Sequence, residues 1–401
     1  MTSCMGLNES AIEEQKVYYA KLLSSAVQAY TPVHVFVYQF LCITGVFANI
    51  SIIVVLLRPA MRKNPFNAFL IAIAICDMTL MAFYFIYKQV EICHPTYFSY
   101  FWIVFTYMYA ILSVFVHSVS LWFTVNMAIL RYLVLKRSSI SRSSLPNVNS
   151  FSAAFVAIVL AILISFLGSA PNMLRYEIRD NGFLDVPSYC TANGSTYAHY
   201  YTENSKVHAY NIGQPLWWNC RWERFNFWAA GLVLKLIPCI MLTIFMTLLV
   251  RMLMEARERR TRLCGGTASG KSQAERTTSM LTAIVAVFLI TELPQGLLVF
   301  ATAKRVDLGI KPGVRYAMQY LGDFIDLLSL INSSFNFILC ALMSHVFRRE
   351  FLLTFGSCCP KSSEDVSGTK SAAIRAIPSK RNGFMPLRSS CQDGTNGSTF
   401  V

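Results

Sequence analysis

The sequence predicts an all-α membrane protein: a seven-transmembrane helix bundle with a short amphipathic eighth helix. Composition favours this class, because 55% of the 401 residues are hydrophobic, only 14% are charged, and the mean hydropathy is +0.46. Average soluble domains carry about 25% charged residues. The apolar residues also gather in seven long stretches, and lysine and arginine cluster in alternate segments between them. Length, composition and charge placement therefore agree on a polytopic membrane protein.

Each of the seven stretches is long enough to cross a bilayer, which requires about 20 predominantly apolar residues in a helix. We number them as spans one to seven. They run over residues 33–57, 67–90, 101–135, 151–170, 227–253, 280–302 and 314–343. After span seven, residues 345–355 (HVFRREFLLTF) are amphipathic and basic, which suits a helix lying in the membrane interface.

The orientation follows from the basic residues between the spans. Segments after spans one, three, five and seven carry many lysines and arginines with few opposing acids. Short cytoplasmic loops have this excess, so these segments are predicted to be cytoplasmic and the N-terminus extracellular. The chain then divides into an extracellular tail (1–30), a seven-span domain with its amphipathic helix (31–355) and a disordered cytoplasmic tail (356–401).

Several modification sites follow from this topology. The sequons at Asn8 and Asn193 fall on the outer side, although the same short pattern also occurs inside spans one and seven. Cys358 and Cys359 follow the amphipathic helix and are candidates for palmitoylation. No cleavable signal peptide is evident, so span one is expected to act as an uncleaved signal anchor.

Other classes of protein fit the sequence poorly. The net charge of +14 is explained by bases that flank spans and meet anionic lipid, so nucleic-acid binding is not expected. We find no Cys or His cluster with metal-ligand spacing, no cofactor motif and no GxSxG or HExxH pattern, so the chain is predicted not to be an enzyme. The glycine-rich run at 265–272 lacks a preceding strand and is rejected as a phosphate loop.

Span three ends in an arginine that needs an explanation. About thirty residues without a charged side chain precede Arg131 and Tyr132. An arginine costs about 2.5–3.5 kcal/mol near the bilayer centre and less near its edge. The simplest interpretation is a membrane-edge anchor whose side chain reaches the interface. The polar residues of the other spans favour a functional role instead.

Spans one and two each carry a polar residue at mid-depth, Asn49 and Asp77. An intramembrane carboxylate is a functional-site hypothesis by default, and a structural hydrogen-bond knot is the alternative. In span seven, Asn332, Ser333 and Asn336 recur at helical spacing and share one face. We expect that face to complete a polar cluster with Asp77.

Spans five to seven hold further charges. Lys235 and Glu292 lie at similar depth, each close to a proline, Pro238 and Pro294 respectively. An unpaired buried charge is costly, so we predict a Lys235–Glu292 pair, with separate exposure to a wet cavity as the alternative. The acids Asp323 and Asp326, on the extracellular half of span seven, are candidates to receive a cationic ligand group, or merely to meet water.

Two segments outside the spans suggest partners. The loop between spans four and five has about fifty residues and is rich in tyrosine and tryptophan, and long ordered loops are usually functional. The final residues Thr399-Phe400-Val401 match a motif that adds to the groove of a PDZ domain.

The whole pattern resembles the rhodopsin-like G protein-coupled receptors, from span one to about Cys359. Asn49 and Asp77 resemble that family's polar residues of the first two spans. Leu130-Arg131-Tyr132 resembles its Asp-Arg-Tyr motif, and Pro238 resembles its fifth-span proline. Residues 291–294 (TELP) stand where Cys-Trp-x-Pro usually does, and residues 336–340 (NFILC) where Asn-Pro-x-x-Tyr does.

The chain departs from that family pattern at key positions. Leu130 replaces the acid before Arg131, and Glu292 replaces the switch tryptophan. Phe337 and Cys340 replace a proline and a tyrosine. Thr106 stands at the usual third-span disulfide position, so a bridge of the family type has to join Cys93 to Cys190 or to Cys220.

The two motifs TELPQG and NSSFNFIL together resemble the myosuppressin and FMRFamide-like peptide receptors of invertebrates, above all the nematode group. That resemblance implies a plasma-membrane neuropeptide receptor whose ligand is a short amidated peptide ending in Arg-Phe-amide. It implies Glu91, Glu292, Asp323 and Asp326, with Lys235 beside them, around the ligand's arginine. It also implies an aromatic cavity lined by Tyr84, Trp102, Tyr109 and Trp228 for the Phe-amide.

The resemblance further implies a heterotrimeric G protein as the transducer, with arrestin and a receptor kinase acting on the tail. Ligand binding would rearrange spans five to seven around Pro294 and release Arg131 to the G protein. Two alternatives remain open at the level of sequence. One is a small-molecule chemoreceptor of the same fold, and the other is a transporter or channel, which the lack of repeat symmetry disfavours.

Overall fold

The computed structural model describes residues 9–90, 92–139, 151–192, 195–202, 205–263, 287–288, 290–297, 322–343 and 345–356. Much of predicted span six therefore lies outside the described residues. So do several residues named above: Asn8, Glu91, Asn193, Cys358, Cys359, Thr399 and Val401.

Long helices form at the predicted spans. They run Glu9–Leu56, Pro65–Gln89, Tyr100–Ser139 and Phe151–Met173, then Cys220–Trp228, Ala229–Leu236 and Ile237–Leu263, and finally Gly322–Met343. The three consecutive segments from Cys220 onward form span five, and the described residues of span six, 287–288 and 290–297, are helical. Within the described ranges, six helices are long and apolar enough to cross a membrane.

The helix of span one begins far earlier than its apolar stretch. Its first residue is Glu9, whereas hydropathy places the span at 33–57. Residues 9–31 contain no glycine or proline and are rich in alanine, leucine, glutamate, lysine and glutamine, which favour helix. Hydropathy detects only the part that crosses the bilayer, so it does not reveal that the helix already begins at Glu9.

The start of span two is fixed by local capping. The side chain of Asn64 accepts a hydrogen bond from the backbone amide of Phe66 at 3.0 Å, and Pro65 occupies the first turn. Asparagine is a favoured helix N-cap, and proline is tolerated at the first helical position because its missing amide proton is not needed there. The N-terminal end of span two is therefore well defined.

The loop between spans four and five forms a two-stranded antiparallel hairpin. Strand β1 covers Glu177–Asp185 and strand β2 covers Lys206–Gly213, with Glu177 opposite Gly213 and Asp185 opposite Lys206. The pairing is irregular between Asp180 and Phe183, where Gly182 has a positive φ of 69°. A disulfide joins Cys190, in the loop, to Cys93, just beyond the end of span two. The hairpin is therefore attached covalently to the helix bundle.

Side-chain packing is that of a membrane bundle. One apolar cluster packs spans two to six together around buried residues such as Phe69, Val125 and Leu242. A second cluster joins spans one, two and seven to the amphipathic helix His345–Phe355 through Phe347. Large apolar side chains such as Phe36 and Leu167 point outward, at 74% and 70% exposure. Outward apolar surface of this extent is expected where lipid, not water, surrounds the helices.

Candidate functional site

The inner part of the bundle holds a network of polar side chains around Lys235, and the local helix geometry positions this lysine. Lys235 lies in the π-helical segment Ala229–Leu236. This segment ends two residues before Pro238. Proline has no amide proton to donate, so a regular α-helix is interrupted at this point. Single π-helical segments inside α-helices relieve such interruptions and are frequent at functional sites.

The Lys235 ammonium group contacts three acceptors from two other spans. Its Nζ lies 2.6 Å from His117 Nε2, 2.9 Å from Glu292 Oε2 and 3.0 Å from Gln295 Oε1. An ammonium group has three protons to donate. All three can be used when His117 Nε2 acts as an acceptor, and the predicted Lys235–Glu292 pair is confirmed.

Glu292 is fully buried and bonded on both carboxylate oxygens. Besides Lys235, Oε2 lies 3.1 Å from His117 Nε2, and Oε1 accepts a hydrogen bond from Asn332 Nδ2 at 3.3 Å. His117 Nε2 either accepts a proton from Lys235 or donates one to Glu292, because one ring nitrogen cannot do both at once. The network thus has two alternative hydrogen-bond arrangements.

The network continues outward through Gln295. Its amide nitrogen lies 3.0 Å from Ser329 Oγ in span seven and donates to the backbone oxygen of Thr291. Sequence reasoning missed His117, Gln295 and Ser329. A signal existed for His117, the only histidine within the long uncharged stretch of span three.

A second buried cluster surrounds Asp77. Ser120 and Ser333 donate to its Oδ1 at 3.2 and 3.1 Å, and Asn336 Nδ2 donates to Oδ2 at 2.6 Å. Asn49 donates to the backbone oxygens of Gly45 and Ser333, which brings span one into the cluster. The predicted meeting of Asp77 with the polar face of span seven is confirmed.

Asn332 was expected in the Asp77 cluster and is bonded to Glu292 instead. Successive residues of an α-helix are turned by about 100°. Ser333 and Asn336 therefore face span two, while Asn332, one position earlier, faces span six. The polar face of span seven is thus divided between the two clusters.

The two outer acids of span seven have different surroundings. Asp323 is 43% exposed and lies 2.5 Å from Lys88 Nζ, with His34 at 3.9 Å. Asp326 makes no hydrogen bond or ion pair with any residue in the part of the chain that the structure describes. It lies one helical turn from Asp323 and one turn from Ser329, so it is placed between the outer ion pair and the inner network.

Aromatic residues surround this region. The hydroxyl groups of Tyr84 and Tyr30 lie 3.0 and 3.1 Å from the two ring nitrogens of His34. Tyr109 stacks on Tyr87 with ring centroids 4.7 Å apart. Of the residues expected to line the cavity, Trp102 is buried and stacks on Phe105 with centroids 5.1 Å apart.

Polar contacts order the outer loop above the bundle. Arg175, after span four, donates to Glu223 at 2.9 Å, and Trp218 donates to the same carboxylate at 2.7 Å. In the hairpin, the backbone amide of Gly182 and the nearby His208 hold the pKa of Asp180 below its usual value. The described residues of this long loop therefore form a structured layer over one end of the bundle.

The disulfide pairing resolves the two alternatives left by the sequence. Cys93 is bonded to Cys190. Cys220, the other candidate partner, also takes part in a disulfide bond and is not a free thiol. The described free cysteines are Cys42, Cys76, Cys239 and Cys340, which all lie inside spans.

Near the C-terminal end of span three, Arg131 lies inside the bundle and does not reach outward as an anchor. The guanidinium carbon lies over the ring of Phe66, 5.7 Å from its centroid, and Nε is buried without a hydrogen-bond partner. Tyr132 packs edge-on against Phe245 of span five. Pro294, in contrast, is exposed on the helix of span six.

Comparison with known proteins agrees with this architecture. The family described as "Serpentine type 7TM GPCR chemoreceptor Srw" matches residues 36–358. The "G-protein coupled receptor dmsr-1" of Caenorhabditis elegans is 32% identical over 85% of this chain and 71% of its own length. The "Sex peptide receptor-related protein 2" of the same organism is 27% identical over 86% of this chain and 75% of its own length.

A further relative is the "Sex peptide receptor" of Drosophila melanogaster, which is 27% identical over 71% of this chain and 63% of its own length. The family match covers the spans, both buried polar clusters and the amphipathic helix. Together with the helical bundle and its membrane-type surface, these matches show that the chain is a multi-pass membrane protein of the serpentine Srw family of seven-transmembrane G protein-coupled receptors.

Proposed function

We propose that this receptor responds to a short amidated neuropeptide of the FMRFamide-like or myosuppressin-like kind. The peptide binds from the extracellular side, where the N-terminus also lies, and heterotrimeric G proteins are activated at the plasma membrane. The observation that carries the proposal is Asp326, the carboxylate without a direct partner among the described residues, placed between two ion pairs.

The reason is that the other two candidate acids within the described residues, Glu292 and Asp323, are already engaged. Glu292 has bonds to Lys235, His117 and Asn332, and Asp323 is paired with Lys88. A guanidinium group seeks carboxylates and binds them through two parallel hydrogen bonds. Asp326 is the acid that can accept an arginine of the ligand without first losing a partner.

Aromatic residues near Asp326 suit the rest of such a ligand. Tyr109 interacts electrostatically with Asp326 and stacks on Tyr87. Together with Tyr84 on the same side, they offer rings against which a phenylalanine side chain can pack. Nanomolar affinity corresponds to about −12 kcal/mol, so contacts with the outer loop are needed as well.

The inner network is suited to transmit binding. His117, Lys235, Glu292 and Asn332 come from spans three, five, six and seven, so their hydrogen bonds link the spans whose rearrangement a receptor requires. A cation at Asp326 repels Lys235 and shifts the balance between the two arrangements available to His117. Rearrangement of span six around Pro294 then exposes Arg131 to the G protein.

The names of the relatives favour a peptide over a small molecule. Two of the three are described as a sex peptide receptor or as related to one. The ordered hairpin over the bundle provides the large contact surface that a peptide needs. A small-molecule chemoreceptor remains the second candidate because the matching family is described by that term.

The proposal is tested by removing the negative charge of Asp326 on the receptor and the positive charge of arginine on the peptide. Nucleotide exchange on a G protein is measured in cells that express the receptor, with a synthetic peptide ending in Arg-Phe-amide and with the same peptide carrying citrulline, which is the neutral isostere of arginine. Asp326→Asn should lower the potency of the arginine peptide about tenfold or more. The potency of the citrulline peptide should be the same on Asp326→Asn as on the unchanged receptor.

The matched control is Asp323→Asn, which removes an acid that is already paired with Lys88 and should have a smaller effect. An equal loss for both peptides would argue against contact between the arginine and Asp326. Activation by small molecules alone would favour the chemoreceptor. A ligand-evoked ion flux without nucleotide exchange would overturn the proposal that the ligand acts through a G protein.

A further inference from the structure

We infer that Phe66 is the positioning residue that restrains Arg131 in the ligand-free receptor, in place of the missing neighbouring acid. The inference deepens the proposed role of Arg131 in G protein coupling and rests on it. The observation is the placement of the guanidinium group over the Phe66 ring, 5.7 Å from the ring centroid. A cation at this distance is attracted by the negative face of an aromatic ring.

Among the described residues, Arg131 meets the ring of Phe66 and the Cys340 side chain, and no carboxylate. The preceding residue is Leu130, whose side chain is buried in the apolar cluster of spans two to six. Arg131 forms no ion pair with any residue in the described ranges, and its Nε is buried without a hydrogen-bond partner. A desolvated cation without a counter-charge gains more from an aromatic face than an exposed one does.

Phe66 is fixed well enough to act in this way. It lies in the first turn of span two, where Asn64 caps its backbone amide and Pro65 sets the helix start. Next to it, Asn67 Nδ2 donates to the backbone oxygen of Met61 at 2.7 Å, which closes the preceding loop onto the helix. Phe66 is only 5% exposed. The ring therefore cannot follow Arg131 when that side chain leaves.

An aromatic restraint differs from an ionic one in its consequence. A neighbouring carboxylate neutralises the arginine and competes directly with any acceptor on the G protein. A ring holds the guanidinium group but leaves its full charge and its N–H donors available. Basal activity should thus depend on the electron density of the ring at position 66, even when the shape of the side chain is unchanged.

The experiment replaces Phe66 in the full chain with phenylalanines carrying one, two or three fluorine atoms. Fluorine withdraws electron density from the ring face and preserves its size. Basal nucleotide exchange per receptor at the cell surface should rise with each added fluorine, by about threefold to tenfold over the series. Phe66→Trp should keep basal exchange at or below the wild-type level, because tryptophan is the best cation-binding ring.

The matched control is the same fluorine series at Phe123, a buried phenylalanine of the same apolar cluster that packs edge-on against Phe69. Basal exchange should not change there. The inference is overturned if basal exchange stays constant across the fluorine series at position 66. It is also overturned if basal exchange changes equally at positions 66 and 123. Arg131→Ala separates the two proposals: full G protein activation by this variant would reject the proposed role of Arg131 itself, whatever the fluorine series shows.

Discussion

The three protons of the Lys235 ammonium group meet three acceptors, and both oxygens of Glu292 are bonded. Single charges buried in this way are costly, whereas a pair with satisfied hydrogen bonds is tolerated. The network is therefore best regarded as one unit at the residue scale. Removing one member leaves another member charged and unpaired.

This view predicts the outcome of a double-mutant cycle. Lys235→Met and Glu292→Leu should each destabilise the receptor by about 3–5 kcal/mol, because each leaves an uncompensated buried charge. The double variant should be destabilised by clearly less than the sum. The measurement is the apparent melting temperature of the receptor in detergent.

The control for this cycle is Lys88→Met, which breaks a partly exposed ion pair with Asp323 and should cost only about 0–1 kcal/mol. Additive losses at Lys235 and Glu292 would show that the two charges are not coupled. Loss of G protein activation should follow the same non-additive pattern.

Sequence alone could predict part of this site. Lys235 and Glu292 were paired correctly because two opposite charges at the same depth have few other ways to be satisfied. His117 was missed because an uncharged imidazole does not interrupt an apolar stretch. Asn332 was assigned to the wrong cluster, since periodicity groups residues on a face but does not say which neighbouring helix each one meets.

At the scale of elements, a disulfide bond and a hydrogen bond hold the outer hairpin to the bundle. The Cys93–Cys190 disulfide attaches it covalently, and Tyr201 donates to the backbone oxygen of Cys93 at 2.9 Å. The bond closes a loop with a sequence separation of 97 residues, which includes spans three and four. A crosslink across a long loop restricts the unfolded chain strongly.

Cys93→Ser and Cys190→Ser should therefore each lower the stability of the receptor by about 2–5 kcal/mol. Ligand potency should also fall, because the hairpin is no longer fixed over the bundle. The double variant should resemble either single one, since both remove the same bond. Thermal unfolding and nucleotide exchange measure the two effects.

Cys76→Ser is the control for these variants, because Cys76 is a free thiol within span two. It should leave ligand potency unchanged. A double variant much worse than either single one would mean that the two cysteines serve separate purposes, in conflict with a shared bond.

The elements also show where a sequence pattern is informative. Apolar stretches predict the spans because the bilayer imposes a length and a composition on any helix that crosses it. The hairpin was not predicted, since β1 mixes charged and apolar residues without strict alternation. Asn181-Gly182 is typical of tight hairpin turns, yet here it forms the irregularity within a strand.

At the scale of the whole molecule, the polar clusters and Arg131 connect the two faces of the membrane. The inner network joins spans three, five, six and seven, and the Asp77 cluster joins spans one, two, three and seven. A receptor with two global states responds to any change that favours one of them. Basal signalling is thus a sensitive measure of restraints on Arg131.

Restoring the missing acid beside Arg131 should shift this balance toward the inactive state. Leu130→Asp places a carboxylate next to the guanidinium group, and charge-assisted hydrogen bonds are stronger than neutral ones. We expect basal nucleotide exchange per surface receptor to fall about fivefold or more. Leu130→Asn, which has the same shape without the charge, is the control for burying a polar group among apolar neighbours.

An unchanged basal level in Leu130→Asp, together with normal surface expression, would count against Arg131 as the restrained residue. The sequence could raise this question because the motif Leu130-Arg131-Tyr132 lacks its acid. It could not identify Phe66 as the replacement, because 65 positions separate the two side chains in the chain and only the packing of spans two and three brings them together.

The long helix of span one has one more consequence, which is mechanical. Residues 9–31 extend the helix beyond the proline at position 32, and at about 1.5 Å per residue this projecting part measures about 35 Å. A proline inside a helix removes a backbone hydrogen bond and provides a natural point of bending. A change of about 10° at Pro32 moves the far end by about 6 Å, so a fluorophore near Glu9 would magnify small tilts of span one into measurable displacements.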